Sequence, residues 1–186
     1  MTFNHKAEKM TALPIITAPD PRLKLTARLV PAVGQAIAQL MRQMADTMYE
    51  APGIGLAAPQ VGQNLQVIVV DIGNDENPDL PGQLYMMANP VIEWVSDEWC
   101  LYKEGCLSLP DQYAEVERPA SVRVRYRDEH NRDKTLTAEG LLATCIQHEI
   151  DHLKGVLFVD HISKLRRDVI YRRLLKQRRV QPTTLS

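Results

Sequence analysis

Residues 144–155 read TCIQHEIDHLKG. His148 and His152 stand four apart, and Glu149 directly follows the first. Four residues is little more than one helical turn, so on a helix both imidazoles leave the same face. The helical pattern extends from about Ala138 to Lys154. Leu141, Cys145, His148 and His152 share one face; Leu142, Ile146, Ile150 and Leu153 share another. Thr137 suits the cap, Glu139 the first turn and Gly155 the stop. A helix apolar on most sides belongs in the interior, so the two histidines project from a buried element. Imidazoles so placed reach a single transition-metal ion at about 2 Å. Glu149, about 100° around the helix from His148, stands beside such an ion, where it can meet a water. This is the H-E-x-x-H arrangement. So short a pattern also arises by chance, as two core histidines and a buried glutamate, and the rest of the chain has to decide.

A metal with catalytic work needs a third protein ligand and an open position. Downstream, His161 lies nine residues past His152, and Asp160 is adjacent. The longer Gly-containing form of the motif is not met, because position 158 is Phe. Upstream the signal is sharper. Residues 102–110, YKEGCLSLP, place Cys106 in a strand-and-turn segment. Cys106 with His148 and His152 makes a Cys-His-His set with one corner left open.

Around this centre the chain has ordinary globular composition. Of 186 residues, 45% are hydrophobic and 24% charged, and the formal net charge is −1. That balance points to neither nucleic acid nor membrane as a partner for the chain as a whole, and no apolar run is long enough to span a bilayer. Three cysteines, Cys100, Cys106 and Cys145, make no disulfide framework and fit a reducing compartment. The expected location is the cytoplasm. The length fits one domain, taken as residues 13–180, with flexible tails at 1–12 and 181–186.

After Pro31, the residues Val33, Ile37, Leu40, Met41, Met44 and Met48 repeat at helical spacing and predict a helix over 31–49. The Met stripe reads as core filling. GIGLAAPQVG (53–62) reads as a small-residue loop, LQVIVVDI (65–72) as a buried strand and residues 73–82 as a loop. Residues 84–96 read as strand, interrupted at Asn89-Pro90. SVRVRYRD (121–128) alternates strictly, with Val122, Val124 and Tyr126 on one face, as in a half-buried antiparallel strand. Residues 128–134 read as a turn. A last helix is expected over 163–178, docked through Leu165, Val169, Ile170 and Leu174. The fold class is α+β: antiparallel strands packed around a central HExxH helix, with N-terminal and C-terminal helices.

Three segments carry a resemblance: GIGLAAPQ (53–60), EGCLS (104–108) and QHEIDHL (147–153). In this order and spacing the chain resembles the peptide deformylases, over about residues 15–162. The resemblance implies a hydrolase that removes the formyl group from N-formylmethionine on newly made polypeptides. It implies one divalent metal held by Cys106, His148 and His152, with Fe2+ expected physiologically and Zn2+, Ni2+ or Co2+ also accepted by such donors. Glu149 would take a proton from the attacking water and pass it to the leaving amine. The Gln60 side-chain amide and the Leu107 backbone N–H would face the developing oxyanion.

The substrate peptide would lie extended, pairing with backbone near Ile54 and Gly55, where Gly53, Gly55 and Gly105 allow close approach. Ile54, Leu141, Cys145 and the aliphatic part of Glu104 are candidates for the methionine pocket, though Cys145 reads equally well as core. Ser108 and Asp151 read as structural supports. The rival readings are a metallopeptidase of the HExxH type and a non-catalytic, ribosome-associated metal-binding module. Residues 164–179 hold eight basic residues and one acidic. They form either a solvated face or a contact with ribosomal RNA.

Overall fold

The structure, a computed structural model, describes residues 11–73 and 82–180. The elements follow in the order α1 (Gln35–Glu50), β1 (Gly55–Ala57), β2 (Val67–Val70), β3 (Tyr85–Val95), β4 (Trp99–Cys106), β5 (Leu109–Pro119), β6 (Ser121–Arg127), β7 (Asp133–Glu139), α2 (Gly140–Leu153) and α3 (Lys164–Val180). All strand pairings within the two sheets are antiparallel. Five strands form one sheet in the order β1-β2-β3-β6-β7, while β4 and β5 form a separate ribbon. The expected α+β class, with its interior helix and its N-terminal and C-terminal helices, is what the chain forms.

The all-apolar run Val67–Val70 is buried along its whole length because both faces of β2 are covered. Val67 and Val69 join Met41, Met44 and Met48 of α1. Ile68 and Val70 join Cys145, Ile146, Ile150 and Leu153 of α2, with Val122, Val124 and Ala138 from the far strands. The methionine stripe is therefore core. A third cluster seats α3 through Ile170 and Leu174 on Val116, Leu157 and Phe158. Leu165, expected on that docked face, is 72% exposed, and Val169 is half-buried outside the cluster, so the docking rests on Ile170 and Leu174 alone of the four expected residues.

Several local expectations are corrected. Residues 137–139 continue β7, where Thr137 pairs with Arg123 and Ala138 with Val122, so α2 starts at Gly140 and Thr137 caps nothing. The alternation of Thr135, Thr137 and Glu139 against β6 outweighs their capacity to open a helix. The GIGLAAPQ segment is a short strand followed by a 3-10 turn, Ala58–Val61, because β2 offers it an edge. Strand β3 runs through Asn89-Pro90 as a bulge instead of breaking. There Asn89, at φ 50°, mimics a neighbouring strand by exchanging amide hydrogen bonds with Val30 N–H and C=O. Helix α1 begins at Gln35, past Val33. Residues 1–10 of the expected 1–12 tail, the expected tail at 181–186 and most of the expected 73–82 loop lie outside the described residues.

Gly155 ends α2 in the left-handed region at φ 73°, and its N–H donates to His152 C=O. A Cβ there would also meet the Lys24 backbone, 2.6 Å from its carbonyl carbon. Gly155→Ala is expected to cost about 1–2 kcal/mol for the backbone conformation alone, with the clash adding to it. Denaturant unfolding checks this; a loss below about 0.5 kcal/mol would show that the turn relaxes freely.

Candidate active site

Strand β4 approaches α2 and leaves its ladder at the site. Gly105 still pairs with Tyr113, but Cys106 pairs with Leu109, and this slip turns Cys106 toward the helix. Its Sγ lies 3.3 Å from His152 Nε2, which lies 3.3 Å from His148 Nε2. Three donors bound tetrahedrally to one ion at about 2.0–2.3 Å stand about 3.3–3.6 Å apart. His148 Nδ1 meets Glu104 Oε2 at 2.7 Å. Its proton therefore lies on Nδ1, and the Nε2 lone pair faces the other donors. Ser108 N–H also donates to Cys106 Sγ, at 3.4 Å. Converging lone pairs and a sulfur without a cation between them would repel, so the donor set fits a transition-metal ion. Both histidines are buried, and His152 Nδ1 has no hydrogen-bond partner among the described residues.

Glu149 is 4% exposed, and its Oε2 has no hydrogen-bond partner among the described residues. Burial pushes its carboxyl up to about 7, with His148 pulling against that shift and Glu104 adding to it. Such a group can take and return a proton near neutral pH. Gln60 is held by the 3-10 turn after β1. Its Oε1 accepts Ala57 N–H at 2.8 Å, so Nε2 must face inward, 3.1 Å from Ser108 Oγ and 3.5 Å from Cys106 Sγ.

A cleft of about 530 Å³ opens on this centre. Of the residues named from the sequence, Ile54, Gly55, Gln60, Glu104, Gly105, Cys106, Leu107, Leu141, Cys145, His148 and Glu149 line it. His152 is set behind them, fully buried. Glu104 does more than offer methylenes: its carboxylate orients His148 and pairs with Arg118 at 2.6 and 3.1 Å. Burial works against that charge, but the hydrogen bonds from His148 and Arg118 outweigh it and hold Glu104 below the usual carboxylate range. His161, weighed as a ligand, instead meets Asp151 at 2.7 Å. Arg118, Tyr102 and Tyr113 were not anticipated. The sign of Arg118 was an arginine in register with Ala114 and Val116 on the inward face of β5, legible only once that strand is recognised.

Gly55 leaves room for the Glu149 carboxylate. A Cβ there would stand 2.8 Å from Cys145 Sγ and nearer still to the Glu149 carboxylate. Gly55→Ala is expected to displace Glu149 and lower kcat/KM by about 10²-fold while the metal stays bound. Unchanged steady-state rates would show that the carboxylate can move without loss.

An interior HExxH helix, a cysteine ligand from a neighbouring ribbon and a buried carboxylate at an open cleft define a metal-dependent hydrolase. A family profile described as Polypeptide deformylase matches residues 12–168. The chain is 47% identical over 167 residues to the peptide deformylase of Brucella suis, covering 90% of this chain and 94% of that one. It is 50% identical to that of Methylocella silvestris, over 90% and 85% of the two chains. The crystal structure of peptide deformylase from Ehrlichia chaffeensis superposes with a TM-score of 0.87 at 38% identity, over 91% of this chain and 98% of that one. A Met-Ala-Ser-bound class I type b peptide deformylase from Acinetobacter baumannii matches at TM-score 0.75 and 39% identity, over 82% and 99%. The chain belongs to the peptide deformylase family, enzymes that remove the N-formyl group from nascent polypeptides.

Proposed function

We propose that residues 13–180 form the catalytic unit and that it deformylates chains beginning with N-formylmethionine. The observation that carries this reading is the convergence, in one cleft, of three metal donors, a buried carboxylate and an inward-facing amide. The peptide lies extended between Ile54–Gly55 and Gly105, and its first side chain sits against Ile54, Leu141, Cys145 and the Glu104 methylenes. That a relative from Acinetobacter baumannii is described as Met-Ala-Ser bound supports a methionine-led peptide as the occupant. Cys106, His148 and His152 would hold one divalent cation, which when bound would supply the Lewis acidity that makes water nucleophilic near neutral pH and the formyl carbonyl more electrophilic. Fe2+ is the physiological ion in this reading, which a metal analysis of anaerobically prepared protein tests.

Glu149 accepts the proton of the attacking water and delivers it to the departing methionine nitrogen as the C–N bond breaks, leaving formate and a free amine. Gln60 Nε2–H and Leu107 N–H donate to the oxyanion between those steps. The test is formate release from formyl-Met-Ala-Ser against acetyl-Met-Ala-Ser. Release from the first, with the tripeptide left intact, supports deformylation; cleavage inside the tripeptide would instead identify a peptidase.

A ribosomal contact through α3, in the cytoplasm, is favoured by one observation. Ile170 and Leu174 dock the helix, while Arg166, Arg172, Arg173 and Lys176 stay exposed. No helix among the described residues is long and apolar enough to cross a membrane. Ribosome co-sedimentation should weaken with added salt and on replacing Arg172 and Arg173. Binding unaffected by either removes the contact.

A further inference from the structure

Arg118 side-chain exposure is 6%, and a guanidinium so buried is tolerable only when its donors are satisfied. Nε and Nη2 grip the two Glu104 oxygens side-on, and Nη1 reaches Asp151 Oδ2 at 2.8 Å. The two carboxylates lead to different parts of the metal centre. Glu104 Oε2 also receives His148 Nδ1–H. Asp151 directly precedes His152 in α2 and is held from its solvent side by His161. A single side chain from β5 thus ties the partner of one ligand histidine to the helical turn that carries the other.

We propose that Arg118 is a positioning residue of the metal centre, holding His148 through Glu104 and the His152 turn through Asp151 in the geometry that retains the ion. This rests on the reading that Cys106, His148 and His152 hold the metal. The arrangement goes beyond what fold stability asks for. Well-packed apolar residues commonly stabilise an interior as well as a buried ion pair does, whereas they could not fix the proton on His148 Nδ1. Lysine could not replace the arginine, because one ammonium cannot grip both Glu104 oxygens and reach Asp151.

The test loads the wild-type enzyme, Arg118→Gln and Arg118→Lys with Zn2+ and follows its transfer to a chromogenic chelator at 25 °C, where circular dichroism shows each protein folded. Release is expected to quicken roughly 10–100-fold in Arg118→Gln and to stay faster than wild type in Arg118→Lys. Release within twofold of wild type in both variants, with or without a lowered melting temperature, overturns the proposal and leaves Arg118 a purely structural residue. If Arg118→Gln does not fold, Asp151→Ala cuts the second arm alone, and it too must quicken release; an unchanged rate is equally fatal. A wild-type chain that takes up no stoichiometric Zn2+ would instead sink the metal centre itself, and this proposal with it.

Discussion

Glu149→Gln is expected to lose formate release by roughly 10²–10⁴-fold while binding its metal as tightly as the wild type. The substitution is nearly isosteric, so the cleft keeps its shape and only the proton-accepting function goes. The loss should fall on kcat, because in the proposed mechanism the carboxylate acts on the water and the leaving nitrogen, while peptide binding rests on the glycine backbone and the apolar end of the cleft. Glu149 is suited to this by what surrounds it. Burial raises its affinity for a proton, and its Oε2 has no hydrogen-bond partner among the described residues. Steady-state kinetics beside metal content check the expectation; undiminished turnover in a metal-loaded Glu149→Gln protein would contradict the assignment of the base.

Gln60→Ala is expected to lower kcat by about 10²–10³-fold with a small change in KM. The amide cannot turn over, because its oxygen is pinned by Ala57 N–H. One Nε2 hydrogen serves Ser108 Oγ, and the other points at Cys106 Sγ across a long 3.5 Å contact, at the edge of the metal centre where the oxyanion would form. The variant also orphans the buried Ala57 N–H, at about 1–3 kcal/mol, so rates should be read well below its melting temperature. A fall in stability with kcat intact would make Gln60 a strut of the turn and nothing more.

Chemistry was more legible than backbone. The i, i+4 histidines announce a helix and a ligand pair because helical geometry alone brings them together, and the methionine stripe of α1 marks a core face for the same reason. Strand β5 was not read as a strand, since PDQYAEVERPA carries four charges in eleven residues and is bounded by prolines, and its inward Ala114, Val116 and Arg118 mix apolar with basic. Its identity comes from pairing with β4. The GIGLAAPQ segment looked like a loop because small residues give no periodicity, and only the edge of β2 makes Gly55–Ala57 a strand.

By itself, then, the amino-acid sequence determined the interior helix, its pair of imidazoles and the types of residue available to act with them, for these follow from spacing along a single regular element. Tertiary structure alone decided where the ribbon slips to bring Cys106 within 3.3 Å of His152. It alone placed Arg118 between Glu104 and Asp151, and kept the space at Gly55 clear for the Glu149 carboxylate. These are contacts between residues from about 14 to 94 positions apart. No local periodicity encodes them, because they exist only once separate strands have paired and closed against the helix.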